Sequence, residues 1–149
     1  MKRNYSSITY TICACLLLVG CLAISSCSKS SSETPSEKAL KLLTGTWHIS
    51  TVTVDGVDKT SQFAGFALTL VPGLYSTVAT VSNPVWSAAG TWSFTDNNAT
   101  SITRDDNVVV NITSLTSTSL TLTLQWTKTT YGGGRTSSVS GTHVFTLNK

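Results

Sequence analysis

Residues 120–127 read LTLTLQWT, and this stretch decides the fold class of the chain. Its apolar side chains alternate strictly with polar ones, a pattern typical of a β-strand that buries one face and exposes the other. The stretch VSGTHVFTL at 139–147 alternates in the same way, and Thr and Ser are abundant after Gly45. Because this composition favours extended structure, the sequence predicts an all-β domain.

Eight strands are predicted, because turn residues divide the alternating segments at regular intervals. The expected ranges are 46–54, 66–71, 74–81, 90–95, 99–104, 107–113, 119–129 and 137–148. No helical pattern long enough for a crossover connection separates them, so we expect antiparallel neighbours. Closure of such a meander into an up-and-down barrel removes every exposed edge. The expected fold is therefore an eight-stranded antiparallel barrel.

A short helix is predicted immediately before the first strand. Thr34 suits the N-cap, Pro35 the first helical position and Glu37 the third, which completes a capping box. Gly45 suits the end of the helix. We expect about two helical turns that lead directly into the barrel.

The first 26 residues have the pattern of a secretory signal. Lys2 and Arg3 precede an apolar run at 8–24 that is shorter than the roughly 20 apolar residues of a spanning helix. The run ends in ISSC at 24–27. With this ending the segment resembles a bacterial lipoprotein signal, and the resemblance implies acylation, such as palmitate, on Cys27. The alternative is LVGC at 18–21, with Cys21 as the lipidated residue; cleavage there would leave an apolar LAI at the lipidated end. A third interpretation of the segment is the cleaved signal of an ordinary secreted protein, without a lipid.

Charge and cysteine content exclude two classes of function. The formal charge of +3 includes Lys2 and Arg3, so the chain after the signal keeps eight basic against seven acidic residues, or about +1. Such a domain lacks the excess of positive charge that nucleic-acid binding requires. All four cysteines lie within the first 27 residues, so the folded domain has none for disulfides or thiolate metal sites.

Four short motifs in order carry a further resemblance: GTW at 45–47, GTWSF at 90–94, ITSL at 112–115 and FTL at 145–147. Together they resemble the small lipocalin-like domain lipoproteins of the type found in Bacteroidota. GTW matches the Gly-x-Trp start of lipocalins, whereas the last predicted strand lacks the arginine that lipocalins pack over that Trp. The resemblance implies a lipocalin-like barrel with structural roles for Gly45, Trp47 and Trp92.

The expected organisation is a signal peptide at 1–26, a flexible tether at 27–33 and the barrel domain with its helix at 34–149. The lipid would hold the protein, as a monomer, in the bacterial cell envelope. The outer membrane is the favoured location, with the domain facing the periplasm or the cell surface.

The loops of a meander alternate between two ends, and this predicts where a site would lie. The helix and the short turns at 72–73, 95–98 and 114–118 fall at one end, and the long loops at 55–65, 82–89, 104–106 and 130–135 at the other. Loops on a rigid scaffold commonly carry binding residues. The ligand-binding candidates expected to be exposed there are Phe63, Trp86, Arg104, Tyr131 and Arg135. His143 is a candidate that faces inward from the last strand.

Inward-facing residues of the predicted strands are large, and core packing is the expected role for most of them. They are Phe66, Leu68, Leu70, Trp92, Phe94, Ile102, Val108, Val110, Leu122, Leu124, Trp126, His143 and Phe145. An eight-stranded barrel is just wide enough to be packed solid or to hold one small ligand.

Two functions are consistent with these features. The first is binding of a small apolar or amphipathic ligand inside the barrel. The alternative is a non-enzymatic interaction module, whose barrel is packed and whose rim loops bind a protein or a glycan. No catalytic motif is present, so neither an enzyme nor a cofactor is expected. His48 and His143 lie on strands that would be neighbours, but no third metal ligand is evident.

Overall fold

The computed structural model describes residues 32–79, 85–127 and 140–149. The chain divides into two units, Met1–Ser32 and Glu33–Lys149, and the description below concerns the second. The predicted signal peptide, Cys21, Cys27 and most of the tether lie outside the described residues. So do parts of three predicted strands, at 80–81, 128–129 and 137–139.

The predicted helix is confirmed as α1, Pro35–Leu43. Thr34 is its N-cap: the Glu37 backbone N–H donates to Thr34 Oγ1 at 3.2 Å, and the Thr34 N–H donates to Glu37 Oε2 at 2.7 Å. This reciprocal pair satisfies two otherwise unpaired donors of the first turn. The helix ends at Leu43, whose side chain is fully buried, so α1 packs on the barrel.

The predicted eight-stranded antiparallel barrel is confirmed, with one small strand added. In chain order the strands are β1 (Gly45–Val54), β2 (Val57–Asp58), β3 (Ala67–Val71), β4 (Leu74–Val78), β5 (Ala89–Phe94), β6 (Ser101–Arg104), β7 (Val109–Leu115), β8 (Ser119–Trp126) and β9 (Gly141–Asn148). Apart from β2, each strand pairs with the next, and β9 pairs with β1. The pairing of β1 with β9 closes the barrel.

Three differences from the expected strands have local causes. β2 was not predicted. It follows the turn at Asp55, and only its two residues, Val57 and Asp58, pair with β1. β6 starts at Ser101 rather than at 99, because Ala99 has a φ of 56° within a turn stabilised by Asp96. β7 starts at Val109 rather than at 107, because Asn107 has a φ of 62°. Positive φ is incompatible with a strand.

One apolar cluster fills the barrel along its described length. It extends from Leu43 and Trp47 beside the helix to Phe63 and Trp86 beside the long loops. Of the thirteen inward candidates, eleven are buried, while Phe94 and Val108 are partly buried and pack against the cluster. The alternating pattern therefore identified the inner face correctly.

The strand directions define two ends of the barrel. The "helix end" carries α1 and the turns at 72–73, 95–100 and 116–118. The "loop end" carries the connections at 55–56, 59–66 and 105–108, together with the described residues 79, 85–88, 127 and 140. This arrangement agrees with the loop placement expected from the sequence, because all eight barrel strands were counted correctly.

Candidate functional site

The loop end is tied together by hydrogen bonds between connections that are distant in sequence. The Asp55 N–H donates to Thr142 O at 2.9 Å, and the Thr142 N–H donates to Asp55 Oδ1 at 2.8 Å. Arg104 Nη1 donates to Val85 O at 2.8 Å. The described parts of these loops are thus held against the scaffold.

Trp86 enters the barrel from the connection between β4 and β5. Only 2% of it is exposed. Its ring lies 5.6 Å from Tyr75, 6.2 Å from Phe145 and 6.3 Å from Phe66, measured between ring centres. Edge-on and tilted packing of this kind is favourable for aromatic rings. Trp86 therefore occupies interior space at the loop end.

Arg104, the last residue of β6, covers the Trp86 ring. Its guanidinium carbon lies 4.6 Å from the ring centre, within the range of a cation–π interaction. Nε and Nη2 donate to the two carboxylate oxygens of Asp106 at 3.1 and 2.6 Å. With the bond to Val85 O, this satisfies a charge that is 2% exposed and would otherwise be costly to bury.

Tyr75 completes this group, which we call the "Trp86 plug" (Tyr75, Trp86 and Arg104). The Tyr75 ring lies 5.8 Å from the Arg104 guanidinium carbon and rests on Gly90, where a Cβ would come within 2.6 Å of it. A Cβ at position 90 would therefore force the Tyr75 ring to move. Burial raises the pKa of the Tyr75 hydroxyl, and the nearby Arg104 charge opposes that rise.

Two polar atoms of the plug lack hydrogen bonds. Tyr75 Oη and Trp86 Nε1 are both buried and unpartnered. The Ser87 side chain lies close enough to oppose the rise in the pKa of Tyr75, yet it makes no hydrogen bond with the hydroxyl. Unpaired buried donors are rare and each costs about 1–3 kcal/mol. These two unpaired polar atoms distinguish the Trp86 plug from the surrounding apolar interior.

Phe63 and His143 form a second aromatic group at the loop end. Their ring centres are 6.2 Å apart, and the His143 ring stacks on Phe145 at 6.1 Å. His143 Nδ1 lies 3.1 Å from Gly141 O. Burial lowers the pKa of His143, while the hydrogen bond to Gly141 and the charge of Asp55 oppose that shift. The imidazole is therefore neutral at pH 7.

The prediction that Phe63, Trp86 and Arg104 are exposed is wrong. All three lie at the loop end as expected, but their side chains point into the barrel and are buried. Burial of each apolar ring removes a large area from water, and Arg104 follows because Trp86 and Asp106 provide its partners. Tyr131 and Arg135, the other two candidates, lie outside the described residues.

Tyr75 is the residue of this site that sequence reasoning missed. It follows Leu74 in a short strand where Leu74 points outward and Tyr75 inward. The available signal was Gly90, its partner in the register of β4 and β5. A glycine inside a strand often marks a close approach by another group.

The two histidines are far apart, although β1 and β9 are neighbours. His48 is opposite Asn148, whereas His143 is opposite Val54, near the other end of the same strand pair. His48 is also exposed, so the two point to opposite faces. Among the described residues, no group of three or more His, Cys, Asp or Glu side chains is placed to hold a metal ion.

The helix end carries the residues expected to be structural. Trp47 is fully buried, and its Nε1 donates to Leu43 O at 2.7 Å. Lys149 Nζ lies 4.4 Å from the Trp47 ring centre and donates to Leu42 O and Thr44 O at 2.7 and 2.9 Å. A cation thus packs over Trp47 although β9 has no arginine. The ammonium also stabilises the carbonyl end of α1.

Gly45 and Trp92 have equally local roles there. Gly45 has a φ of 134°, and a Cβ on it would lie 3.0 Å from Lys149 Cε. Trp92 Nε1 donates to Val71 O at 3.0 Å and to Leu74 O at 2.9 Å. Trp92 therefore holds the turn between β3 and β4 from inside the barrel.

An open groove of about 520 Å³ crosses the outer face of β3, β4 and β5. Its lining is uncharged and consists of Thr69, Val71, Leu74, Tyr75, Ser76, Ala89, Gly90 and Thr91. Leu74 is 54% exposed and flanks the turn at 72–73. The more apolar part of the groove thus lies towards the helix end.

Comparison with protein-family models, with curated proteins and with solved structures found no match to this chain. Within the part of the chain that the structure describes, no helix has both the length and the apolarity needed to cross a bilayer.

Proposed function

We propose that this protein is a lipid-anchored lipoprotein of the bacterial cell envelope, whose lipocalin-like barrel is a packed, non-enzymatic interaction module. The loop end would present its connections to a protein or a glycan. The Trp86 plug carries this proposal, because Trp86 and Arg104 occupy the interior where a ligand would otherwise sit. The role of the barrel is then to hold loops rather than to enclose a molecule.

The energetics favour a plug that stays in place. Removing a buried Trp side chain from a core costs about 3–5 kcal/mol. Moving Trp86 would also separate its ring from the Arg104 guanidinium, and Arg104 holds the preceding residue through Val85 O. A lumen ligand would have to replace all of these contacts.

The anchor is supported by the signal-like first 26 residues and by ISSC at 24–27. The tether would join the barrel domain beside α1, at the helix end. The loop end would then point away from the membrane. This orientation would direct the connections at 55–56 and 105–108 away from the membrane, towards a partner.

Photo-cross-linking in intact cells tests the interaction module. A photoreactive amino acid replaces Val57 at the loop end, or Val71 at the helix end as a matched control; both side chains are exposed. We expect a discrete cross-linked product from position 57 that is absent from position 71. Equal labelling from the two positions, or none from 57 and from a second loop-end probe at Asn107, would contradict the proposal.

Ligand binding inside the barrel is the second candidate, favoured by the unpartnered Tyr75 Oη and Trp86 Nε1. An amphipathic molecule with a hydrogen-bond acceptor would satisfy both donors. Mass spectrometry of organic extracts, together with thermal shifts in the presence of fatty acids, tests this candidate. A stoichiometric extracted compound whose yield falls in Tyr75→Phe would replace the packed module with a binding protein.

A further inference from the structure

The outer groove of β3, β4 and β5 has a chemistry that the interaction module does not use. Its eight lining residues carry no charge, and the exposed Val71 and Leu74 stand at its helix-end side. Val71 and Leu74 are partners across the turn between β3 and β4. Leu42, at the end of α1, is also exposed. The helix end thus presents apolar side chains to its surroundings.

The proposed anchor limits how far this end can lie from a bilayer. Ser32 is the fifth residue after Cys27, and five residue steps span about 18 Å of fully extended chain. The chain then enters α1, whose last turn packs into the helix end through Leu43. A tether of this length holds the helix end close to the headgroups of the leaflet that carries the lipid.

We infer that Val71, Leu74 and the adjoining groove form a membrane-contact surface that rests on the headgroup region of that leaflet. This inference rests on the proposed lipid anchor. Single apolar side chains gain free energy when they enter the boundary between headgroups and acyl chains. An uncharged groove avoids the cost of bringing a charge to that boundary. The lipid alone would hold the domain near the membrane without fixing its orientation. The contact would fix the tilt of the domain relative to the membrane.

A second copy of the chain is a weaker occupant of the same groove. Stable protein interfaces use about 20–30 residues on each side, whereas eight residues line this groove. A lipid surface needs no complementary shape, and it is already brought within reach by the tether. These two facts favour the bilayer.

Strand β4 offers two outward-facing positions at a known separation, which the test compares. Leu74 and Val78 lie on its two ends and face outward, with 54% and 70% exposure. They are four residue steps apart along the strand, a distance of about 13 Å. No cysteine occurs after residue 27, so Leu74→Cys and Val78→Cys each give one labelling site in the folded domain. If intact mass places the lipid on Cys21, the same probes are made with Cys27→Ser.

The lipidated full-length protein is labelled with a polarity-sensitive fluorophore and reconstituted into phosphatidylethanolamine–phosphatidylglycerol vesicles that contain headgroup nitroxide lipids. We expect several-fold stronger quenching, and a blue-shifted emission, for the probe at 74 than for the probe at 78. Val71→Asp in the Leu74→Cys protein should reduce the quenching while flotation with vesicles is unchanged. Unfolding curves of all variants confirm that the barrel is intact.

The outcomes separate the inference from the anchor on which it depends. Co-flotation with equal quenching at 74 and 78 would overturn the membrane-contact surface and leave the anchor standing. Failure to float, with no acyl mass, would overturn both. Shielding of the 74 probe in detergent, rising with protein concentration, would assign the groove to a second copy and overturn the inference.

Discussion

The guanidinium carbon of Arg104 lies 4.6 Å from the centre of the Trp86 ring, and both side chains are buried at the loop end. The same guanidinium is fixed by the Asp106 carboxylate and by Val85 O. Trp86 is the next residue after Val85, so Arg104 contacts both the Trp86 ring and the backbone immediately before it. Trp86, Val85 and Asp106 are thus connected through one buried guanidinium at the loop end.

A double-mutant cycle should show this coupling. Arg104→Met is expected to lower the free energy of unfolding by about 2–4 kcal/mol, because it leaves the partners of a buried charge unpaired. Combination with Trp86→Leu should reveal a coupling energy of about 1 kcal/mol from the lost cation–π contact. Urea denaturation of the wild type, the two single variants and the double variant gives the four free energies of unfolding that the cycle needs. Arg104→Met with Trp47→Leu, at the other end, should be additive; coupling there would contradict the local explanation.

Replacement of individual tryptophans by phenylalanine should rank them by their hydrogen bonds. Trp92 Nε1 donates to Val71 O and Leu74 O, whereas Trp86 Nε1 has no partner. Trp92→Phe is expected to cost about 1–2 kcal/mol more than Trp86→Phe, because only the first leaves carbonyls unpaired. Thermal unfolding gives the comparison. Equal costs would mean that Trp86 Nε1 is paired in solution.

Gly90→Ala should destabilise the barrel by about 1–3 kcal/mol, as over-packing does. The new Cβ would lie 2.6 Å from the Tyr75 ring, so the ring must move. Tyr75→Leu should restore part of the loss in the double variant, because a shorter side chain leaves room for the methyl group. A Gly90→Ala protein of unchanged stability would show that Tyr75 does not rest on Gly90.

The stability of the barrel should fall as the pH drops below about 6.5. Burial lowers the pKa of His143 from its ordinary value of 6.5, so the unfolded chain takes up a proton before the folded protein does. The loss is absent above pH 6.5 and grows until the pH passes the lowered pKa. Unfolding curves of the wild type and His143→Gln between pH 7.5 and about 5 isolate the effect, since His48 and the carboxylates are common to both. Parallel pH profiles would contradict it.

Lys149→Met should loosen the helix end without affecting the loop end. Lys149 Nζ donates to Leu42 O and Thr44 O and lies over Trp47. Loss of these contacts is expected to cost about 1–2 kcal/mol. Amide hydrogen exchange should speed up in α1 and at the start of β1. Lys38→Met, on the exposed side of α1, is the matched control and should change little; uniform exchange in both variants would contradict the proposed cap.

The barrel was predictable because its determinants are local. Alternation along 119–126 and 141–148 specifies the inner face, and turn residues such as those at 72–73 and 96–98 set the strand count. The capping box of α1 lies within four residues, 34–37. Each of these features depends on neighbours in the sequence, and each is present in the structure.

The Trp86 plug was not predictable, because its determinants are distant in sequence. Trp86 precedes β5 in a segment without periodicity, so nothing in the sequence shows which way its ring points. Arg104 and Val85 are 19 residues apart, and their contact exists only once the barrel has closed. A charged residue beside Asp105 and Asp106 is normally exposed; the Asp106 carboxylate and the indole make it an interior residue here.

The seam between β1 and β9 has a consequence for the order of folding. Val54 pairs with His143, and His48 with Asn148, so the first strand of the barrel needs the ninth as its neighbour. While the domain folds, one edge of β1 stays unpaired until β9 docks on it. Closure then depends on contacts between opposite ends of the domain, which slows folding. Without β9, the edges of both β1 and β8 would be unpaired, so a chain truncated ahead of Gly141 would expose two strand edges of the kind that promote aggregation.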